Sequence, residues 1–212
     1  MFSEYAPSGI RIFLKKVYRL ESVMLRTDLK SGCYLALIEK RHSMKFYTFL
    51  EKNRKHFTGR LNFIDRIKNE NDAANAIERA ANMIVEGSGF FWGIWRNDDI
   101  IGMISMRDIN ENLKSAEIAY SIDHEYEGKG LISEATWIAI DYLFSEYDVE
   151  RLVLGSDVNN QRSQNIALKY GFTNEGIARK GFRANGEFQD CINWSLLKEE
   201  YLDLKTRKEK NG

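Results

Sequence analysis

Two glycines flank a lysine at Gly128-Lys129-Gly130, and this spacing could hold a phosphate. Residues Ser115 to Asp123 alternate apolar and polar side chains, and this period of two predicts a strand. From Leu131 to Leu143 the apolar residues follow a helical period instead. The glycines therefore lie where a helix begins, and backbone N–H groups without intrahelical partners can approach an anion there. The pattern predicts a site for a phosphate or diphosphate.

Other phosphate motifs fit this turn poorly. The dinucleotide fingerprint requires a third glycine where this chain has Ser133, and the chain has no Walker sequence of the form G-x-x-x-x-G-K-[ST]. A glycine turn that joins a strand to a helix and binds nothing stays the structural alternative.

A second polar segment follows a short apolar run at Arg151 to Leu154. Asn160 and Ser163 fall at the start of a short helix that Gly171 would end. Helix capping by Asn160 and an ordinary first-turn position for Ser163 are the structural alternatives to a functional role.

The two segments together resemble the GNAT superfamily of acetyl-coenzyme A dependent N-acetyltransferases. Gly128-Lys129-Gly130 is similar to the pyrophosphate loop of that superfamily, Q/R-x-x-G-x-G/A. Asn160-Gln161-Arg162-Ser163 followed by Gly171-Phe172 is similar to its later N-x-x-S/A and Gly-Phe motif. The stretch from Asn174 to Asp190 looks most like the ribosomal-protein N-terminal acetyltransferases of the RimJ/RimL branch. The resemblance extends over residues 32–204.

The resemblance implies that a neutral amine attacks the acetyl thioester and expels the thiolate of coenzyme A. Ser163 would hydrogen-bond that thiolate, and Asn160 would contact the pantetheine chain. The strand that contains Glu117 would splay from the next strand and leave backbone groups free for pantetheine. The residues expected to bind the cofactor are Ser121, Ile122, Asp123, Gly128, Lys129, Gly130, Leu131, Ile132, Ser133, Asn160, Ser163 and Lys169.

The general base is less evident, because this chain departs from the superfamily pattern. The position of a frequent tyrosine acid is Ala167, and the acidic residue of the closest branch falls at Phe182. Glu117 is the remaining candidate base, and a structural ion pair is the alternative for it. Glu125 and Glu127 also precede the glycine turn, where negative charge would oppose a diphosphate.

An N-terminal α-amine of a protein is the expected acceptor. Its pKa is about 7.7 to 8.0 against about 10.4 for lysine, so a weak base is sufficient. The alternatives are a small-molecule amine, such as a polyamine, an amino acid or an antibiotic, and a coenzyme A binding module without turnover. The sequence leaves open whether the protein forms a homodimer.

The element pattern predicts an α+β fold with a mixed, mainly antiparallel sheet of seven strands and helices on both faces. Residues 32–204 are expected to form the N-acetyltransferase domain, between an extension at 1–31 and a polar tail at 205–212. Residues Ile10 to Leu25 have amphipathic helical potential, although Met24 could be the true start.

Composition agrees with a globular protein, since 43% of the 212 residues are hydrophobic and 29% are charged. No apolar run approaches the roughly 18 residues that span a bilayer, and Lys15 and Lys16 interrupt the N-terminal apolar stretch where a secretory signal would be, so we expect a cytoplasmic protein. The spacing of the histidines and cysteines implies no metal site. Basic residues are frequent between Lys40 and Lys68, but a solvated helical face explains them, and we do not predict nucleic-acid binding.

Overall fold

The computed structural model describes residues 26–59, 61, 63–184 and 186–211. One sheet contains all the strands of this part of the chain, in the order β1-β2-β3-β4-β5-β6-β8-β7. The strands are β1 (Arg26–Asp28), β2 (Cys33–Leu37), β3 (Phe90–Arg96), β4 (Asp99–Asn110), β5 (Ser115–Ile122), β6 (Arg151–Asp157), β7 (Thr173–Ala184) and β8 (Glu187–Leu197). The helices are α1 (Ser43–Lys52), α2 (Arg54–Phe57), α3 (Glu70–Glu86), α4 (Leu131–Glu146), α5 (Gln161–Lys169) and α6 (Lys198–Asn211).

Adjacent strands pair antiparallel except β5 and β6, which pair parallel. This confirms the mixed, mainly antiparallel sheet of the α+β prediction. The expected number of seven strands is wrong, because β1 adds an eighth at the edge of β2. Three residues are too few to show an alternating pattern, so the sequence carried no signal for this strand.

Both faces of the sheet are covered, as expected. On one face, α4, α5 and α6 contribute Leu143, Ala167 and Tyr201 to a core with the inward residues of β3 to β6 and β8. On the other face, α1 and α3 contribute Phe49 and Ile77 to a second core against β2, β3 and β4. The sheet therefore separates two helical layers, and any opening within the sheet connects them.

The two ends of the chain differ in part from the expected extension and tail. Residues 26–31 of the expected extension include β1, so that part joins the sheet. The helix considered for Ile10 to Leu25 lies outside the described residues. The expected tail from residue 205 continues α6, where Lys205 pairs with Asp141 at 2.7 Å and Lys208 lies 3.5 Å from the ring centre of Trp137. None of the described helices is long and apolar enough to cross a bilayer.

Candidate active site

The sheet opens between β5 and β6. These strands pair only from Ser115 with Arg151 to Glu117 with Val153, although β5 continues to Ile122 and β6 to Asp157. Beyond this point β5 remains paired with β4, and β6 remains paired with β8. The edge of β5 that faces β6 therefore lacks a strand partner near Ser121 and Ile122. Such an edge can accept an extended chain by backbone hydrogen bonds.

The glycine turn lies next to this opening, at the start of α4. Gly128 and Gly130 have φ values of 75° and 78°, the left-handed region that glycine adopts without strain. No heavy atom lies within 4 Å of a Cβ placed on either glycine, so space for a ligand is open on this side of the turn. Gly130 is the N-cap and provides no side-chain acceptor.

The first turn of α4 thus presents free donors. The N–H of Glu134 donates to the carbonyl of Gly130 at 3.0 Å, which is the first bond of the helix. The N–H groups of Leu131, Ile132 and Ser133 precede it and have no intrahelical acceptor. Together with the positive end of the helix dipole, they form a site that suits a diphosphate.

The two carboxylates that the sequence placed before the turn are neutralised by cations from distant elements. Glu125 lies 2.5 Å from the ammonium group of Lys52, at the end of α1. Glu127 pairs with Arg162 of α5, and its other oxygen lies 3.1 Å from Nε2 of His56 in α2. These ion pairs remove much of the repulsion that negative charge beside a diphosphate would cause.

Asp123 anchors the start of this loop. Its carboxylate is buried, lies 2.7 Å from the ammonium of Lys52 and accepts from the backbone N–H of Glu125 at 3.0 Å. Burial alone would raise the pKa of Asp123, but the hydrogen bonds from Lys52, Glu125 and Asn53 outweigh burial, and its pKa is lowered. The side chain of Asp123, expected among the cofactor-binding residues, is thus used within the protein.

Ser163 lies at the first turn of α5, where its buried hydroxyl is 2.9 Å from the hydroxyl of Tyr120 on β5. Its backbone N–H donates to the side-chain oxygen of Asn160 at 3.2 Å. Asn160 therefore caps the helix, which was the structural alternative for it; contact with pantetheine stays a prediction. Burial raises the pKa of Tyr120 to about 12, against the opposing effect of the Ser163 hydrogen bond, so Tyr120 remains a neutral hydroxyl at ordinary pH.

Lys169 and Ser133 meet where the end of α5 approaches the start of α4. The Lys169 ammonium donates to the Ser133 hydroxyl at 2.7 Å, and Tyr170 donates to the Ser133 carbonyl at 2.6 Å. Lys129 lies 4.5 Å from the ring centre of Tyr126. The structure thus brings both expected lysines close to the glycine turn.

Glu117 lies on the opposite face of β5 from Tyr120, because strand side chains alternate. It forms an ion pair with Arg107 of β4, directly across the strand pair. This is the structural alternative that the sequence left open, and a role as base stays a prediction. Ala167 is buried in the core, and Phe182 lies on β7, so neither offers an acid or a base.

Tyr120, Lys52, His56 and Arg162 were not among the expected site residues. Tyr120 reads as one apolar position in an alternating strand, and its partner Ser163 lies 43 residues later. Only the fold joins such residues, so no spacing rule could have found them. Among the described residues, no group of three or more His, Cys, Asp and Glu side chains could hold a metal ion.

Residues 35–173 match the family described as the acetyltransferase (GNAT) domain. A putative ribosomal N-acetyltransferase of Bacillus subtilis is 36% identical over 114 residues, which are 54% of this chain and 62% of that protein. The ribosomal-protein-serine acetyltransferase of Escherichia coli is 27% identical over 156 residues, 74% of this chain and 87% of that protein. Spermidine N(1)-acetyltransferase of E. coli is 33% identical over 101 residues, 48% of this chain and 54% of that enzyme.

Solved structures show the same fold. The L7/L12 α-N-protein acetyltransferase RimL in complex with coenzyme A aligns with a TM-score of 0.76 and 19% identity, over 81% of this chain and 97% of that chain. The matched domain, the glycine turn and the open strand pair agree with one another. The chain therefore belongs to the GNAT family of acetyltransferases.

Proposed function

We propose that this acetyltransferase transfers the acetyl group of acetyl-coenzyme A to the N-terminal α-amine of a protein. The observation that carries the proposal is the gap between β5 and β6 beside the uncapped start of α4. The gap connects the two faces of the sheet. A cofactor held on the α4 and α5 face could thus meet an amine held on the face of Glu117.

The residues present fit coenzyme A. The open space at Gly128 and Gly130 would be blocked by larger side chains, and the N–H groups of residues 131–133 suit its diphosphate. The free edge of β5 near Ser121 and Ile122 suits the amide groups of pantetheine. When bound, acetyl-coenzyme A supplies the activated acetyl group.

Ser163 can stabilise the departing thiolate by a hydrogen bond. Its hydroxyl has one proton, and if Tyr120 donates to the Ser163 oxygen, that proton is free for the sulfur. The raised pKa of Tyr120 keeps it a donor throughout the pH range of an assay. Tyr120 is thus a positioning residue, and Ser163 is the group that faces the reacting atoms.

An α-amine suits this site better than a lysine side chain. Glu117 is already engaged by Arg107, so the site offers a modest base at most. About a tenth or more of an α-amine with a pKa of about 7.7 to 8.0 is neutral at pH 7, whereas lysine at about 10.4 is almost fully protonated. The RimJ/RimL resemblance and the ribosomal-protein relatives support the same acceptor.

A small-molecule amine is the second candidate, because the similar spermidine acetyltransferase acts on a polyamine. Release of free thiol from acetyl-coenzyme A distinguishes the candidates when hexapeptides with N-terminal serine or alanine are compared with spermidine and free lysine. We expect the peptides to be the better acceptors. The same peptides with an acetylated α-amine serve as negative controls. Faster release with spermidine would assign a polyamine acceptor. Binding of coenzyme A in calorimetry without thiol release from any amine would indicate a binding module.

A further inference from the structure

Several buried polar atoms on the Glu117 face of the sheet lack a hydrogen-bond partner. Among the described residues these include Ser121 Oγ, Gln189 Oε1 and Arg107 Nε. Buried polar atoms in native proteins are nearly always hydrogen-bonded, so each exception requires a physical reason. A bound acceptor that supplies the missing partners is such a reason for atoms beside the opening between β5 and β6.

The strand register places Ser121 and Gln189 on the same face, on either side of that opening. Glu117 pairs with Val153, and Val153 pairs with Ser195 of β8, so these three side chains share one face. Ser121 lies four residues beyond Glu117 along β5, and Gln189 lies six residues before Ser195 along β8. Even spacings keep both on this face. Because β8 runs antiparallel to β6, both residues lie toward the end where β5 and β6 separate.

The helical layer of α1 to α3, which covers this face, approaches Gln189 at Gly59. A Cβ placed on Gly59, just after α2, would lie 3.9 Å from Gln189 Nε2. Gln189 of β8 thus lies beside Gly59, on the face of the sheet opposite Ser163. Its Oε1 can only accept a hydrogen bond, so its ligand must present a donor, such as a peptide N–H group.

We propose that Gln189 binds the acceptor, with Oε1 accepting a hydrogen bond from the first peptide N–H of a protein N-terminus. Ser121 Oγ lies closer to Glu117 along the face and accepts from the reacting amine. The inference rests on the proposed function and names the group of the acceptor that the enzyme recognises. By strand register Gln189 lies two residues, about 7 Å, beyond the level of Ser121, so it contacts the acceptor on the far side of the amine from Glu117.

Gln189→Leu removes the accepting oxygen at similar size and tests this role. With a hexapeptide carrying N-terminal serine, we expect KM to rise about 5- to 100-fold, because a polar group loses its partner. We expect kcat to change less than threefold. Gln189→Glu keeps an accepting oxygen in place and should hold KM close to the wild-type value. Unchanged coenzyme A affinity in calorimetry shows that both variants are folded.

A peptide that is N-methylated at its first peptide bond removes the other half of the same hydrogen bond. The KM of wild type for this peptide should rise about as much as the KM of Gln189→Leu rises for the unmethylated peptide. Gln189→Leu with the methylated peptide should show little further rise. An unchanged KM in Gln189→Leu, or fully additive effects of the variant and the methylated peptide on KM, overturns the role of Gln189. The proposed function still stands in that case if the enzyme acetylates the peptide. Thiol release with spermidine and none with the peptide would overturn both.

Discussion

Replacement of Tyr120 by phenylalanine tests whether the Tyr120–Ser163 pair takes part in catalysis. The change removes one oxygen and keeps the ring, so packing against the α4 face is retained. The hydroxyl of Tyr120 lies 2.9 Å from Ser163 Oγ and 3.5 Å from the Ser163 carbonyl oxygen, and the first distance marks the stronger contact. Loss of one hydrogen bond is worth about 0.5 to 1.5 kcal/mol, and we expect kcat to fall about 2- to 13-fold.

The effect should not depend on pH. Burial raises the pKa of Tyr120 to about 12, so the hydroxyl stays protonated in wild type from pH 6 to pH 10. The ratio of wild-type to variant rates should therefore be constant over this range. Initial rates of thiol release at saturating acetyl-coenzyme A measure it. Tyr201→Phe is a matched control, because it loses hydrogen bonds to Asp141 and Lys205 away from the opening and should lower stability without lowering kcat.

A double-mutant cycle decides whether Tyr120 acts through Ser163. Ser163→Ala should raise the barrier by about 1 to 2 kcal/mol with cofactor affinity nearly unchanged. If Tyr120 acts only by orienting the Ser163 hydroxyl, the double variant should be no slower than Ser163→Ala alone. Fully additive losses, or a wild-type to Tyr120→Phe ratio that changes below pH 10, would refute the reasoning.

Three further changes test other parts of the site. Gly130→Asp places a side chain and a negative charge at a φ of 78° in the turn, and calorimetry should show at least a tenfold weaker affinity for coenzyme A. Unchanged affinity would show that the turn does not bind the cofactor. Glu117→Gln removes the candidate base, so its rate with an α-amine peptide should fall most at low pH and approach wild type by about pH 9, whereas parallel profiles would leave only its ion pair with Arg107. The hydrogen bond from Arg151 lowers the pKa of Glu175 to about 2, so this pair stabilises the fold above about pH 4.5 and its contribution is lost as the pH falls toward 2. Glu175→Gln should therefore weaken the fall in urea midpoint between pH 5 and pH 2, and an identical fall in both proteins would contradict this.

The local parts of the site could be predicted from the sequence because their signals are local. The change from a period of two to a helical period around Gly128 and Gly130 is confirmed by β5 and α4. The turn between β3 and β4 is equally local, since Asn97 and Asp98 have positive φ values of 48° and 69°, as a tight hairpin turn requires. Such features depend on a few consecutive residues.

The remaining features depend on contacts between distant segments. The cations Lys52 and Arg162 compensate the acidic residues before the glycine turn, across separations of 73 and 35 residues. From the sequence alone, Glu125 and Glu127 would repel a diphosphate at the turn. The sequence could not show which cations lie beside them in the fold. The helical tail was missed for a different reason: α6 is mostly charged and has a weak apolar period.

The three-way contact of Glu127 has a thermodynamic consequence. Its carboxylate belongs to the glycine turn, yet Arg162 extends from α5 and His56 from α2, which ends just before Gly59 beside Gln189, the proposed acceptor contact. A diphosphate that attracts Arg162 would weaken one contact of Glu127 and alter the other. Cofactor and acceptor would then share a coupling free energy, and each would change the affinity of the other by the same factor. We expect this linkage to appear as a preferred order of substrate addition.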